Sequence, residues 1–406
     1  MRLILSISIF LITSNLFAQT FFPYKVDSAK WSGHQLSLNG TFDYSATSLP
    51  FTFVSKFLFG GAIDEQLKND VFDRHNGNNR FGLEAYTELQ YSNYNVKLFG
   101  DERFGMLFQL GMQNFNQIHY SNDAFKLAFF GNQSFGTEEA KLDQSFLNTS
   151  TFSKIGWGLL DKKTHSFFAI NLVQLQNLGQ VQVNSGRLLL TPDEDSLNFL
   201  YDGSAVFANN NNFIKGLGLS VDFNIIFRAN ADDSSRFNVP FQFSGRNLGW
   251  VHSLGTWEKY EAKNFFPFDG FALSDAISAS NSLINTDKIL DTLNVEKTAV
   301  KKGYFLPGTL QIAKIVDINS PKLFQTFFGL RAYLVRDVLP YTFIGGDYKA
   351  AKNFHLGAHV GFGGFTYFRG GLYANYQTNN INIGLAAENL YLKNGLCTSI
   401  RLQWAF

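Results

Sequence analysis

Two histidines four residues apart, His355 and His359, form the pair in this chain whose spacing first suggests metal chemistry. On a helix, that spacing puts two imidazoles on one face, where both can ligate one zinc ion. The residues around them, however, alternate between apolar and small or polar types, which indicates a β-strand. With a rise of about 3.3 Å per residue, the two side chains then stand roughly 13 Å apart and cannot share a metal. We therefore expect both to line a polar face, and we predict neither a metal site nor a cofactor.

A hydrolytic centre would need a nucleophile, a histidine and a carboxylate in one place. The remaining histidines are scattered along the chain, and only His165 begins a credible strand. The single cysteine, Cys397, falls at an inward position of a predicted strand, and no motif places a nucleophile beside a histidine. The sequence therefore favours a protein that is not an enzyme.

Charged residues in the polar rows of the alternating segments carry more information. An unpaired charge in a low-dielectric wall is costly, so each such charge has to meet a partner or water. We predict that Glu388 lies between Arg369 and Arg401, in a row of lumen charges that fixes the register of the last strands. Selection of a solute by this row is the second possibility. Further lumen-facing candidates are Asp222, Arg331, Asp347, His355 and His359.

The predicted charge row depends on two short turns. Asn-Gly is a preferred two-residue hairpin turn, because both of its residues must adopt positive φ. A turn at Asn394-Gly395 would bring Glu388 opposite Arg401. A turn at Thr378-Asn379 would bring Arg369 opposite Glu388 from the other side.

The elements that must position these residues are clearest from Asn353 to Phe406, where four successive segments alternate with period two. Each segment is close to the ten residues that a tilted strand needs to cross a bilayer. A soluble sandwich would show the same alternation. The tiny connections, the aromatic ends of the outward rows and the final Phe406 favour a membrane barrel, whose outer band is apolar and whose interior is polar. The terminal strand also resembles the signature by which the barrel-assembly machinery recognises such proteins.

The predicted fold class is therefore all-β: a transmembrane antiparallel β-barrel of about fourteen strands, within a range of twelve to sixteen, because bacterial barrels have even strand numbers. Phe51–Phe59 alternates and is predicted to be one of the strands. Residues 249–303 form an extra-barrel insertion with one or two short helices expected in Ala272–Val300. Counting strand directions back from Phe406 places this insertion outside the cell, provided Trp250–Tyr260 adds no extra strand pair.

Composition and the N-terminus agree with export to a membrane. A net charge of +1 and 17% charged residues give no indication of nucleic-acid binding, and 45 Phe residues suit a lipid-facing surface. Residues 1–18 have the charged tip and apolar core of a signal peptide, which leaves 19–406 as the barrel. We predict localisation in the outer membrane of a Gram-negative bacterium, with outer-membrane lipid as a partner.

Three short motifs carry a family resemblance: Phe125–Asn132, Phe266–Phe271 and Leu306–Ala313. With them, the mature chain resembles a family of Bacteroidota outer-membrane β-barrels that has no established activity or catalytic residues. The Gly-rich C-terminal strands also resemble fatty-acid-transporter-type barrels, a class that includes a shuttle barrel of the type IX secretion system. This resemblance implies a fold and a location but no site.

Two functions are consistent with this sequence. The first is a pore or conduit for small or hydrophobic solutes, in which the insertions act as plug or gate. The second is a surface or secretion-system partner that a sealed barrel anchors in the membrane. A conduit predicts an open or gated lumen, whereas an anchor predicts a sealed one with an apolar patch at the exposed rim.

Overall fold

A computed structural model describes residues 24–25, 33–77, 79–190, 197–208, 213–229, 239–268, 295–317, 320–389, 393 and 395–406. They form a closed antiparallel β-barrel of 14 strands, which confirms the predicted fold class. The segments of the first half are β1 (Tyr24–Lys25), β2 (His34–Ala46), β3 (Asn79–Asn93), β4 (Phe104–Tyr120), β5 (Ala140–Lys141), β6 (Phe146–Asp161), β7 (Phe167–Leu190), β8 (Leu197–Phe207), β9 (Gly216–Ala229), β10 (Val239–Ser253) and β11 (Trp257–Phe268). Those of the second half are β12 (Glu296–Val300), β13 (Gly303–Phe305), β14 (Thr309–Lys314), β15 (Val316–Asp317), β16 (Phe324–Tyr333), β17 (Leu339–Ala351), β18 (Phe354–Gly364), β19 (Phe368–Gln377), β20 (Ile381–Glu388) and β21 (Gly395–Ala405).

Four of the wall strands are interrupted, and in the first of them the short β5 precedes β6 beside β7. The first part of β7, residues 167–175, pairs with β9, and its last part, residues 179–190, pairs with β8. The segments β8 and β9 therefore occupy one position in the wall. In the same way β10 continues into β11, and β12, β13 and β14 together descend beside them. The segment Trp250–Tyr260 therefore continues one ascending strand and adds no strand pair.

The barrel closes through β2, which pairs with β21 on one side and β3 on the other. The backbone N–H of His34 donates to the carbonyl oxygen of Phe406 at 3.1 Å. The described start and end of the barrel thus lie at one rim, called the terminal rim below. The opposite rim, the loop rim, carries the described helices α1 (Phe51–Phe59), α2 (Glu65–Phe72) and α3 (Asn122–Phe130) and a 3-10 helix, Asn132–Phe135.

The two faces of the wall differ as a membrane barrel requires. Outward side chains are large, apolar and exposed, as at Ile155, Leu219 and Phe362. Inward side chains are mostly polar and buried, as at Asn39 and Gln113. An apolar outer band around a polar interior is the arrangement of transmembrane β-barrels. Within the described parts of the chain, no helix is both long and apolar enough to span a membrane.

The prediction that Phe51–Phe59 is a strand was wrong, because this segment is helix α1. Pro50 precedes the helix with extended φ and ψ, at a position where a missing N–H costs nothing. Gly60, with a positive φ of 79°, ends it. The ring of Phe53 packs against those of Phe125 and Phe129 of α3, at centroid distances of 5.8 and 5.2 Å. Tertiary contacts with α3 thus override the period-two pattern.

The predicted insertion, residues 249–303, is largely strand where the structure describes it. Of the segment Ala272–Val300, in which helices were predicted, only Glu296–Val300 and the residue before it are described, and Glu296–Val300 is strand β12. The rest of that prediction lies outside the described residues. Because β11 runs toward the loop rim, the insertion leaves the barrel at the rim opposite Phe406, as the strand count requires.

Candidate functional site in the barrel lumen

A group of buried charges joins distant strands across the lumen; we call Lys154, Glu88, Asp222, Arg246 and Glu84 the cross-lumen ion cluster. The Lys154 ammonium on β6 contacts the Asp222 carboxylate on β9 and lies 3.3 Å from the Glu88 carboxylate on β3. Arg246 on β10 pairs with Glu84 on β3 at 2.7 Å, although β4, β6, β7 and β9 separate those two strands in the wall. Two opposite walls of the barrel are therefore in direct contact through ion pairs.

Polar side chains complete the coordination of this cluster. Asp222 accepts hydrogen bonds from the Gln109 side chain at 2.5 Å and from the Asn247 backbone N–H at 2.6 Å. Lys154 also donates to the Asn247 side chain at 2.9 Å. The Arg246 guanidinium lies 4.3 Å from the ring centre of Tyr86. These hydrogen bonds and ion pairs make the burial of the charges tolerable, because an unpaired buried charge costs several kcal/mol.

A second group, the Arg369 cluster, joins β19, β20, β18 and β2. Arg369 pairs with Asp43 at 2.8 Å and with Glu388 at 3.2 Å, and it donates to the Ser45 hydroxyl at 2.7 Å. The imidazole of His359 lies 3.4 Å from the other oxygen of Glu388. The structure therefore brings Arg369 and Glu388 together in the lumen, as the sequence suggested, and adds Asp43 as a second carboxylate.

The predicted register of this row was wrong. Glu388 lies opposite Gly371 and Cys397, and Arg401 lies opposite Gly384. Arg369 reaches Glu388 diagonally, over a distance that a long side chain spans easily. Arg401 is buried in the lumen, but it does not face Glu388 across the strand pair.

The register error arises at the two turns that flank β20. Pairing of β20 with β21 ends at Glu388 and Cys397, so more residues than the two predicted connect these strands, and Asn389 follows β20 with a positive φ of 57°. Before β20, the backbone N–H of Thr378 donates to the Ile381 carbonyl at 2.7 Å, so the two-residue turn is Asn379-Asn380, one position later than predicted. The two registers are thereby shifted by four and two residues. Even shifts leave every side chain on its original face, which is why the inward assignments held.

A third polar group lies on the same wall toward the terminal rim. Asp347 accepts from the Tyr373 hydroxyl at 2.7 Å and lies 2.8 Å from Nδ1 of His355. His355 and His359 thus contact different carboxylates and do not converge, as expected from strand spacing. Across the described residues, no group of three or more potential ligands could hold a metal ion.

The remaining sequence-predicted residues take separate positions. Asp222 belongs to the cross-lumen ion cluster. Arg331 donates to the side-chain oxygen of Gln311 from Nε and Nη2, at 3.0 and 2.8 Å. The sequence reasoning missed Lys154, Glu88 and Asp43 as site residues. The sequence alternation indicates only that these three residues face inward, and it does not predict which strands meet across the lumen.

Two apolar clusters flank the charges inside the barrel. One includes Phe152, Trp257 and Tyr304. The Tyr304 hydroxyl lies 3.0 Å from the Ser150 hydroxyl on the facing wall. The other surrounds Phe327 and Tyr341. Phe152 is two residues from Lys154 along β6, so apolar and ionic contacts follow each other along the lumen. Packed side chains therefore make contacts inside the lumen at several levels.

Turn residues at the loop rim add further contacts between distant strands. The side chain of Arg80 donates to the Asp337 carbonyl at 3.2 Å, which joins β3 to the β16–β17 turn. The ring of Phe365, in the β18–β19 turn, packs 6.2 Å from Phe115 of β4 and 5.8 Å from Tyr333. These turns fold inward, whereas α1 contacts outward-facing residues.

No family model and no curated protein sequence matches this chain. Among solved structures, it is similar to a deletion mutant of the monoaromatic hydrocarbon channel TodX, with a TM-score of 0.40, 9% identity, and coverage of 92% of this chain and 91% of that one. The toluene transporter TodX of P. putida has a TM-score of 0.37 and 10% identity, with coverage of 91% of this chain and 88% of that one. The translocator domain of the autotransporter NalP from Neisseria meningitidis has a TM-score of 0.29 and 8% identity, with coverage of 92% of this chain and 89% of that one. With identities and scores this low, these similarities do not bear on what this chain binds or transports.

Proposed function

We propose that this protein is a gated conduit of the outer membrane of a Gram-negative bacterium, and that the conformation described here is its closed state. The observation that supports the proposal is the cross-lumen ion cluster, which holds opposite walls together through charged side chains. Replacing a buried ion pair by apolar residues is often neutral or stabilising, so stability alone gives little reason for charges at this place. Charges that become hydrated when water enters allow the walls to separate while the strand pairing stays intact.

The cluster carries more negative than positive charge, which adds to this argument. Lys154 and Arg246 contribute two positive charges, while Glu84, Glu88 and Asp222 contribute three negative ones. Removal of either cation leaves carboxylates facing each other in a low-dielectric space, and like charges there repel strongly. Lys154 is therefore the residue on which closure depends most, because it alone contacts both Glu88 and Asp222.

The solutes we propose are small molecules with an apolar part. The Phe152 and Phe327 clusters lie to either side of the charges, so a passing solute would meet aromatic and aliphatic surface before and after a polar constriction. Ligand sites of this type combine an apolar lining with a few polar groups.

Conductance in a planar bilayer tests the proposal. The wild-type protein is expected to open rarely, and Lys154→Met to conduct most of the time, because Glu88 and Asp222 then repel. Adding Asp222→Asn to Lys154→Met removes part of the repulsion and should lower the open fraction again. Lys259→Met is the matched control, because Lys259 pairs with Glu261 at 2.7 Å on β11, outside the lumen cluster. Equal, background-level conductance of correctly folded wild type and Lys154→Met would refute the conduit.

A specific observation favours a second function, a sealed anchor for a surface partner. β7 has 24 residues, whereas about ten suffice to cross a bilayer. Its upper half continues with β8, β11 and β12 as a sheet beyond the loop rim, with charged side chains such as Lys263 on it. This function predicts that none of the lumen variants conducts.

A further inference from the structure

The burial of Tyr44 places helix α1 on the outside of the barrel. Tyr44 belongs to the outward row of β2, because its neighbours Asp43 and Ser45 both contact Arg369 in the lumen. The outward side chains of Leu36, Leu38 and Phe42 on the same strand are half-buried, whereas that of Tyr44 is 0% exposed. Its ring lies 5.6 Å from that of Phe51 in α1, and its hydroxyl donates to the Leu49 carbonyl at 2.8 Å.

A second outward residue supports the same placement. The ring of Phe81, in the outward row of β3, lies 5.5 Å from the ring of Tyr44. Its parity follows from Gly82, whose position inside the lumen is fixed by the ring of Phe365 directly against it. Helix α1 therefore packs on the lipid-side surface of β2, next to β3 at the loop rim, and does not enter the lumen.

The composition of α1 suits a lipid environment. Six of its nine residues are aliphatic or aromatic, and Lys56 is its single charged residue. Phe53 points into the helical cluster with α2 and α3, whereas Phe59, at the other end, is 69% exposed. The Lys56 ammonium donates to the Ala62 carbonyl at 2.6 Å, so it lies over the chain that follows the helix.

The outer surface near α1 marks the edge of the apolar band. On the neighbouring strands β4 and β6, outward positions become polar toward the loop rim: Asn114 donates to Thr151 at 2.8 Å, and Thr149 donates to Asn116 at 2.7 Å. An apolar helix with one cation, beside the place where a barrel's lipid-facing band gives way to polar residues, has the properties of a helix at a membrane interface.

We propose that α1 is an interfacial helix that inserts its Phe59 end among the acyl chains, just below the headgroups, of the leaflet at the loop rim. The membrane lipid is the occupant because the helix surface is continuous with the lipid-facing band. The proposal is independent of whether the lumen conducts.

Spin labels at two positions test this placement in vesicles of a zwitterionic phospholipid. Phe59→Cys and Asp70→Cys each introduce one reactive thiol; Asp70 is an exposed residue of α2 and serves as the control. Cys397 is buried, so labelling of the folded wild type should be negligible. Power-saturation measurements then compare collisions with oxygen, which concentrates in lipid, and with a water-soluble nickel chelate.

At Phe59→Cys we expect oxygen accessibility to exceed nickel accessibility several-fold, and at Asp70→Cys the reverse. Nickel-dominated collisions at both sites would place α1 in water and overturn the proposal. Low accessibility to both reagents at Phe59→Cys would also overturn it, because a second protein copy would then cover the helix. Folding of each variant is checked by its heat-dependent mobility in SDS gels, and Gln66→Cys, at another exposed polar position of α2, provides a replacement control.

Discussion

The ammonium group of Lys154 lies 3.3 Å from the carboxylate of Glu88, although β6 and β3 do not pair with each other in the wall. The contact passes over the inner face of β4, which lies between β3 and β6 in the wall. The same ammonium also contacts the Asp222 carboxylate on β9. One side chain thus connects three strands that are distant in sequence.

Lys154→Ala should destabilise the folded barrel by about 3–5 kcal/mol, because it leaves two buried carboxylates without their cation. The measurement is urea-induced unfolding from lipid vesicles, followed by tryptophan fluorescence. Lys263→Ala is the control: the Lys263 side chain is 84% exposed and pairs with Asp202 at 3.4 Å, so its loss should cost less than about 1 kcal/mol. Similar losses for both variants would contradict a buried role for Lys154.

A double-mutant cycle distinguishes the observed contact of Glu388 from the one expected from the sequence. Arg369→Leu and Glu388→Gln should show a coupling of about 1–3 kcal/mol in the same unfolding assay, because their charged groups lie 3.2 Å apart in the lumen. The cycle between Arg401→Leu and Glu388→Gln should give a smaller coupling, because Arg401 lies opposite Gly384. A larger coupling for Arg401 would support the register that short turns predict.

The faces of the strands could be predicted from the sequence, whereas the contacts between strands could not. Alternation alone placed Asp347, His355 and Glu388 inward, since period two needs only local information. Which inward residues meet depends on the position and length of each turn and on how the walls approach each other. Strand β20 ends before Asn389, which has a positive φ that asparagine permits but that the sequence does not predict. Asp43 pairs with Arg369 although the two residues lie 326 positions apart in the chain.

Helix α1 shows the opposite failure, in which local pattern gave the wrong element. Phe51, Phe53, Phe57 and Phe59 alternate, but the residues between them include Val54 and Leu58, so the segment is apolar on several sides. Such a short apolar run does not distinguish a strand from a helix by its period. The contacts of Phe53 with α3 decide in favour of the helix, and those contacts join residues about seventy positions apart.

An arginine on the outer face of β9 should impair folding into bilayers. Leu219 is 60% exposed on that face, and an outward arginine near the bilayer midplane costs about 2–4 kcal/mol. Leu219→Arg should therefore lower the folded fraction in vesicles strongly. Phe99→Arg is a better control than the neighbouring inward Ser220, which is fully buried against Asn171. Phe99 is 83% exposed in the turn after β3, so its substitution should change the folded fraction little. Equal losses for Leu219→Arg and Phe99→Arg would contradict the lipid-facing position of Leu219.

The side of the membrane on which the insertion lies can be tested in cells. If Phe406 is periplasmic, β11 leads residues 269–294 to the cell surface, because it runs away from the terminal rim. An epitope tag near Ser280 should bind antibody on intact cells. A tag inserted at Lys352, in the terminal-rim turn between β17 and β18, should bind only after permeabilisation. The reverse pattern would invert the assigned topology.

The helical cluster at the loop rim should weaken as the pH falls. Burial lowers the pKa of His75 from its ordinary value of 6.5, and hydrogen bonds to the backbone of α2 oppose this effect only in part. The ring lies 4.4 Å from that of Phe125 of α3, and Nε2 lies 3.2 Å from the Tyr120 hydroxyl. Because the folded cluster binds the proton less readily than the unfolded segment, its stability is full above about pH 6.5 and declines as the pH falls toward the lowered pKa. Limited proteolysis between α1 and α2 should accelerate from pH 7.5 to pH 5 in the wild type, and His75→Leu should remove most of that dependence. Cleavage rates with the same pH dependence in both proteins, after correction for protease activity, would show that His75 does not control this cluster.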